Sequence, residues 1–329
     1  MADNTRIRVL RNILVAVTLV FTPLLSAPPV HAQNEVTPRY STTVSYTPLY
    51  HAPLVQVWIN GNVSCTFLVD TGANNIYLTE KLVKRLGLPS YPAVKEGHPY
   101  MLGDKQARAV SVSQIQIGSF SSSNPQVLLA ADPSPSFPFS FDGILGTNLL
   151  SMFSVLFDFP RHQITLWTPA GLSVDEIKGL GMSAATILPL TEREDGTFTV
   201  PGKVWSTKAQ ADVSLLLDTG AAETALTVGL ARQLQLLPAS STTVHNFWGD
   251  VDFEEARINA LQLVGLKFVD RPVNYASKED ARHPALLGMD ILSGYKVLLD
   301  FPSKKMYLQP SPSVVTVGPA VKPPTAKTP

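Results

Sequence analysis

The tetrapeptide Asp-Thr-Gly-Ala occurs twice, at 70–73 and at 218–221, and each copy ends a strand-like apolar run: "VSCTFLVDTGANN" and "ADVSLLLDTGAAE". No other feature constrains the fold as strongly, because the 148-residue offset continues past the tetrapeptides. Thr79 corresponds to Thr227, Leu82 to Leu230, Leu86 to Leu234 and Leu88 to Leu236. In each copy the Thr is placed to cap a short helix, and the leucines four apart give that helix one apolar stripe. A second pair of blocks matches at an offset of 142: "GILGTNLLSMFSVLFDFPRHQITL" from 143 and "ALLGMDILSGYKVLLDFPSKKMYL" from 285. Gly146 then corresponds to Gly288, Asp158 to Asp300 and Pro160 to Pro302. The chain is a duplicated unit, and it must fold as two similar halves.

Between the matched blocks the sequence reads as strands. "LVQVWINGNVSCTFLVD" is two β-rich runs around the tight-turn signal Asn60-Gly61. "ARAVSVSQIQIGSF", from 107, alternates as one strand against a core, and "ARINALQLVGLKF", from 256, is its weaker counterpart. The expected class is all-β with short helices. With 329 residues the chain is long for a single core, so the expected organisation is a first lobe at 44–168 and a second at 186–309. The join, 169–185, is rich in Gly, Ser and Ala and is expected to hold one short helical turn.

The ends read differently. Arg6, Arg8 and Arg11 precede an apolar run, and Val30 and Ala32 stand at the small-residue positions of a cleavage site. Residues 1–32 are therefore expected to be a secretory signal peptide, followed by an N-terminal extension at 33–43. The rival is an uncleaved membrane anchor. Pro23 interrupts the run, which is shorter than the roughly 20 residues a span needs. Either way the protein is expected to be exported, periplasmic or secreted. Residues 310–329 are rich in Pro and small residues without period, the composition of a disordered tail.

Composition excludes several classes. Net charge is zero and pI is near 7.0, with no basic run, so no nucleic-acid partner is expected. Cys65 is the single cysteine, which rules out an intramolecular disulfide, and the six histidines are scattered. No metal and no cofactor are expected.

An Asp directly after "FLV" or "LLL" sits where a lone ionised carboxylate is costly. Taken singly, Asp-Thr-Gly is as readily an ordinary turn with a local hydrogen bond. Two copies in matched repeats can instead face each other across a pseudo-two-fold axis. Facing carboxylates share a proton, so one can act as base on water while the other donates to a carbonyl.

The chain resembles the aspartic peptidases of the retropepsin/pepsin clan, on "LVDTGA" with "ILG" in the first half and "LLDTGA" with "LLG" in the second. The resemblance covers nearly all of 44–309 and implies a bilobal acid-protease fold. It implies that Asp70 and Asp218 are the catalytic pair. Thr71 and Thr219 would exchange hydrogen bonds beneath them, and Gly72 and Gly220 would let backbone amides approach the carboxylates. Ala73 and Ala221 follow the glycines, as in retropepsins; without a hydroxyl there to lower a carboxyl pKa, a working range nearer neutral is expected. The clan covers its substrate with a hairpin flap, for which the candidates are Tyr100 and Gly103 in "HPYMLGDKQA" and Trp248 and Gly249 in "HNFWGDVDFE".

The expected function is an exported aspartic endopeptidase acting on peptide or protein substrates, monomeric because both half-sites are present. An inactive relative that binds peptide without cutting is the alternative, and a dimer with two sites is a third arrangement. Asp158 and Asp300, each in "DFP", read as turn or cap residues, and Cys65 reads as an inert core thiol.

Overall fold

The computed structural model describes residues 39–92, 108–130, 140–246, 249–277 and 284–311. Among these, three sheets hold most of the chain: one belongs to each half, and one is shared. The first half starts from the hairpin Ala52–Ile59 and Val63–Val69. Asn60 and Gly61 both take positive φ, 51° and 73°, a backbone that Asn-Gly adopts at little cost. The hairpin register pairs Val55 with Phe67, Val57 with Cys65 and Ile59 with Val63. The first five of these six are buried, so the period-two alternation places one face on the core.

After this hairpin the chain passes through Ile76–Thr79 into the helix Glu80–Leu86. The Thr79 hydroxyl accepts from Leu82 N, and Gly87 closes the helix in the left-handed region. The short strand Gly143–Leu145 then returns between its neighbours, parallel to Val63–Val69 and antiparallel to Ile76–Thr79. The second half repeats the path: hairpin Phe198–Trp205 and Gln210–Leu217, helix Val228–Gln233 capped by the Thr227 hydroxyl, and Leu286–Leu287 parallel to Gln210–Leu217.

The run from 107 to 120 is not the single strand its alternation predicts. It divides into Arg108–Val110 and Gln114–Ile117. The cause is local capture: Asn60 Oδ1 accepts from Ser113 N, Ser113 Oγ and Gln114 N, while Ser111 N donates to Pro89 O. The burial pattern survives the break, with Val110, Val112, Ile115 and Ile117 all inside. In the second half the expected run 256–268 divides too, at the turn Val264-Gly265, between the paired strands Gly249–Leu263 and Leu266–Ala276.

The shared sheet has six strands in the order Tyr40–Ser45, Gln163–Thr168, Ser154–Asp158, Tyr295–Asp300, Lys305–Pro310, Thr186–Pro189. Each half gives three. At the centre Ser154–Asp158 and Tyr295–Asp300 run antiparallel, with Leu156 opposite Leu298. These two leucines occupy the same place in the duplicated unit, so the pseudo-two-fold axis passes between them. The strand Tyr40–Ser45 takes residues 40–43 of the expected N-terminal extension into this sheet.

The join is more than a tether. Ser173 and Glu176 form a capping box on the helix Val174–Gly179. Leu172, Ile177 and Met182 pack on Leu156, Leu298 and Tyr307, covering the axis. Arg39 holds this cover by donating to Gly171 O at 2.8 Å and by pairing with Glu176 at 3.4 Å. No described helix is long and apolar enough to cross a membrane, and residues 1–38 lie outside the described residues.

Candidate active site

Asp70 and Asp218 each follow the last residue of an inner hairpin strand. Their positions are set by the short parallel strand beside them: Asp70 N donates to Leu145 O at 3.0 Å and Asp218 N to Leu287 O at 3.1 Å. The glycine after each short strand then lies against the aspartate loop. A side-chain carbon at Gly146 would fall 2.3 Å from Asn75 O, and one at Gly288 would fall 2.4 Å from Glu223 C. Only glycine permits that approach. Thr147 N to Ala73 O (2.8 Å) and Met289 N to Ala221 O (2.9 Å) complete the two braces.

The two loops meet through their threonines. Thr71 Oγ1 accepts from Thr219 N (3.0 Å) and donates to Leu217 O (2.8 Å). Thr219 Oγ1 accepts from Thr71 N (3.1 Å) and donates to Val69 O (2.8 Å). Both side chains are buried, so these bonds are shielded from competing water.

The carboxyl groups of Asp70 and Asp218 lie beside the two threonines, close enough for each to act on the titration of the other. Each also lies over the opposite loop: a side-chain carbon at Gly72 would be 2.6 Å from Asp218 Cγ, and one at Gly220 would be 2.6 Å from Asp70 Cγ. Gly72 N donates to Asp70 Oδ1 at 2.8 Å, and Gly220 N and Ala221 N both donate to Asp218 Oδ1 at 2.9 Å. Burial first, and the charge of Asp218 second, hold Asp70 well above the ordinary carboxyl range. Burial also lifts Asp218, but its hydrogen bonds from Asp70, Gly220 and Ala221 oppose the rise. Both carboxyl groups are held above the ordinary range, so the pair binds a proton more tightly than two separate carboxyls would and can offer an acid and a base to one water.

The other expected residues fall as follows. Tyr100, Gly103 and Trp248 lie outside the described residues. Gly249 opens the strand Gly249–Leu263, which pairs with Ser240–Asn246 so that Asn246 faces Gly249 at the hairpin end. Asp158 caps the 3₁₀ turn Phe159–Arg161 and pairs with Arg161 and Lys296, while Asp300 accepts from Ser154 and Ser303. Cys65 is buried, and burial is the first cause raising its pKa.

One part of the site had not been singled out from sequence. In the second half Asp290 accepts from Thr224 N and Thr224 Oγ1 and pairs with Arg271 at 3.0 Å. The first half has Asn148 and Ile76 at the matched positions. Comparing the two copies position by position for differences, and not only for identities, would have found it.

Residues 55–149 match a family model described as aspartyl protease, and residues 207–294 match one for the gag-polyprotein aspartyl protease. The solved structure of an aspartic proteinase from Irpex lacteus is similar at 12% identity, covering 84% of this chain and 99% of that one, with a TM-score of 0.49. A retropepsin-like aspartic protease from Rickettsia conorii is similar at 18% identity over 40% of this chain and 92% of its own, with a TM-score of 0.29. A search of the curated proteins found no match.

Proposed function

The chain belongs to the aspartyl proteases, as two retropepsin-like units in one polypeptide, and from that premise we propose that Asp70 and Asp218 are the catalytic pair of an exported single-chain endopeptidase. The observation that carries this reading is the packing of each carboxyl group against the glycine of the opposite loop, over the exchanged Thr71 and Thr219 bonds.

In this reading a peptide lies across the pair with a water between its scissile carbonyl and the carboxyl groups. Ionised Asp218 takes a proton from the water, whose oxygen bonds to the carbonyl carbon. Asp70 gives its proton to the carbonyl oxygen, and the product is a neutral tetrahedral diol. Collapse of the diol breaks the C–N bond as Asp218 passes its proton to the leaving nitrogen and Asp70 recovers one from a hydroxyl. The Gly72, Gly220 and Ala221 amides hold the carboxyl groups in place and need no reorganisation as charge moves. The hairpin Ser240–Asn246 and Gly249–Leu263 serves as a flap over the substrate. One chain is sufficient, because both half-sites are present in it.

The test is peptidase activity of the purified protein against Asp70→Asn and Asp218→Asn. Each variant is expected to lose on the order of 10³-fold or more in kcat, the scale of positioned acid–base catalysis. Wild-type turnover in both variants overturns the assignment, and a wild type that binds peptides but cuts none leaves a peptide binder. Export, to the periplasm or beyond, is supported by the character of residues 1–32. N-terminal sequencing of the exported protein, with Gln33 as first residue, checks it.

A further inference from the structure

The braces behind the two aspartates are built from different chemistry. In the second half Thr224 stands six residues after Asp218, and Asp290 two residues after Gly288. The Thr224 hydroxyl donates to Asp290 Oδ1 at 2.7 Å, which leaves its lone pairs to accept from Gly288 N at 3.1 Å. The same Oδ1 accepts from Thr224 N at 2.8 Å. The other carboxylate oxygen accepts from Arg271 Nη2 at 3.0 Å, and Nη2 also reaches Asp290 O at 3.2 Å. Arg271 Nε is buried and has no hydrogen-bond partner among the described residues, so Asp290 is what holds the guanidinium in place. The two side chains are only 19% and 14% exposed, and solvent screens the pair little. At the matched places of the first half stand Ile76 and Asn148. Ile76 has no hydroxyl to offer Gly146 N, and Asn148 is neutral, its Nδ2 donating to Gln126 O at 3.0 Å.

These bonds close on the backbone that seats Asp218. Asp218 N donates to Leu287 O, one residue before Gly288, at 3.1 Å. On the far side of Gly288, Met289 N and Asp290 N donate to Ala221 O and Ala222 O at 2.9 and 3.0 Å. Ala221 N in turn donates to Asp218 Oδ1 at 2.9 Å. Thr224 and Asp290 therefore clamp the brace to the loop from the side opposite Asp218. Arg271 belongs to the strand Leu266–Ala276, so its ion pair ties this clamp to the second-half sheet.

We propose that Asp290 is a positioning residue for Asp218: held by Arg271, its carboxylate orients the Thr224 hydroxyl and so fixes the Gly288 brace against the aspartate loop. This rests on the reading of Asp70 and Asp218 as the catalytic pair. An ionised carboxylate can take both Thr224 donors on one oxygen and keep the other for arginine, and each of those bonds is strengthened by the charge. Asp290 acts through backbone, not on the peptide. Its loss therefore shows in the rate of the chemical step, where the placement of Asp218 matters most, and not in the binding of substrate.

The experiment measures kcat and KM on one peptide for Asp290→Leu, Thr224→Val and the double variant, at a temperature where melts show each fully folded. Each single variant is expected to lose about 10²-fold in kcat, the cost of displacing a catalytic group by about 1 Å, with KM within about 2-fold of wild type. The double variant should lose no more than either single one, because both act through the same clamp. Thr224→Ser, which keeps the hydroxyl, and Asp290→Asn, which keeps an acceptor, should recover most of kcat. Where Asp290→Leu does not fold, Thr224→Val decides, since it cuts the route from Asp290 to Gly288. Folded variants with wild-type kcat, a change confined to KM, or losses that multiply in the double variant overturn the inference and leave the catalytic reading standing. Asp218→Asn is assayed beside them; wild-type turnover in that variant overturns the catalytic reading, and this inference falls with it.

Discussion

Thr71 and Thr219 each place a hydroxyl against the other's backbone N–H, so each aspartate loop is held by the opposite half of the chain. Neither loop can shift alone. Substituting Thr71→Val keeps the shape but leaves Thr219 N and Leu217 O buried without a partner. A loss of about 2–3 kcal/mol in stability is expected from two such groups. The loss should be similar for Thr219→Val, and denaturant unfolding measures both. Activity should fall further than stability accounts for, because displacement of a catalytic group by about 1 Å costs on the order of 10²-fold.

Gly146 and Gly288 have no room for a methyl group, and the obstructing atoms are backbone. Gly146→Ala and Gly288→Ala are each expected to cost about 1–3 kcal/mol, the scale of an overpacked core. Peptide cleavage should fall in step, since the displaced element is the aspartate loop itself. A variant that melts at the wild-type temperature with full activity would contradict the bracing role.

The pH dependence follows from the two raised carboxyl pKa values. In the proposed mechanism activity requires one proton on the pair. The rate should fall on the acid side as the pair gains a second proton, at a pH above the ordinary Asp value of about 3.9, and on the alkaline side as it loses its last one. A pH–rate profile with its optimum below about pH 3 would contradict this, because the pair would then be working under the unperturbed value.

Stability shares the same linkage with a definite sign. Folded Asp70 binds its proton more tightly than unfolded Asp70, so the folded state carries the extra proton in the interval between the two pKa values. Stability falls as pH rises from the unfolded value of about 3.9 and levels off above the folded one. Asp70→Asn removes that titration. Thermal melts should show the variant more stable than wild type at neutral pH, with the advantage vanishing near pH 4, close to the unfolded value.

The axis pair provides a packing test. Leu298 is fully buried beneath Ile177 and Met182 of the join and opposite Leu156. Leu298→Ala is expected to cost about 2–5 kcal/mol. The first and second halves should lose stability together, and a single unfolding transition followed by tryptophan fluorescence would report it.

Local chemistry made much of this legible in the sequence. Asn60-Gly61 announced its turn, Thr79 and Thr227 announced their helix caps, and the repeat placed both aspartates at equivalent strand ends. The division of the 107–120 run was not legible, because it depends on the Asn60 side chain reaching Ser113 and Gln114 from another hairpin. The cover formed by the join was half legible: Ser173 and Glu176 spell a capping box, but nothing local says that Ile177 faces Leu156 and Leu298. The shared sheet was missed for the same reason, since its central pairing joins residues 142 positions apart. At the aspartates, looking for sameness between the copies drew attention away from Glu223 and Asp290, where they differ.

The leucines on the axis, Leu156 and Leu298, mark where two equivalent surfaces meet within one polypeptide. Two identical subunits meeting there would present the same side chains to both ends of a bound strand, and so could not tell its N-to-C direction from the reverse. Joining the copies in one chain removes that constraint, because a substitution in one copy is not repeated in the other. Asn75 on one side and Glu223 on the other are such a pair. The duplicated chain has become handed: the surroundings of its two aspartates are free to differ, and at this position they do.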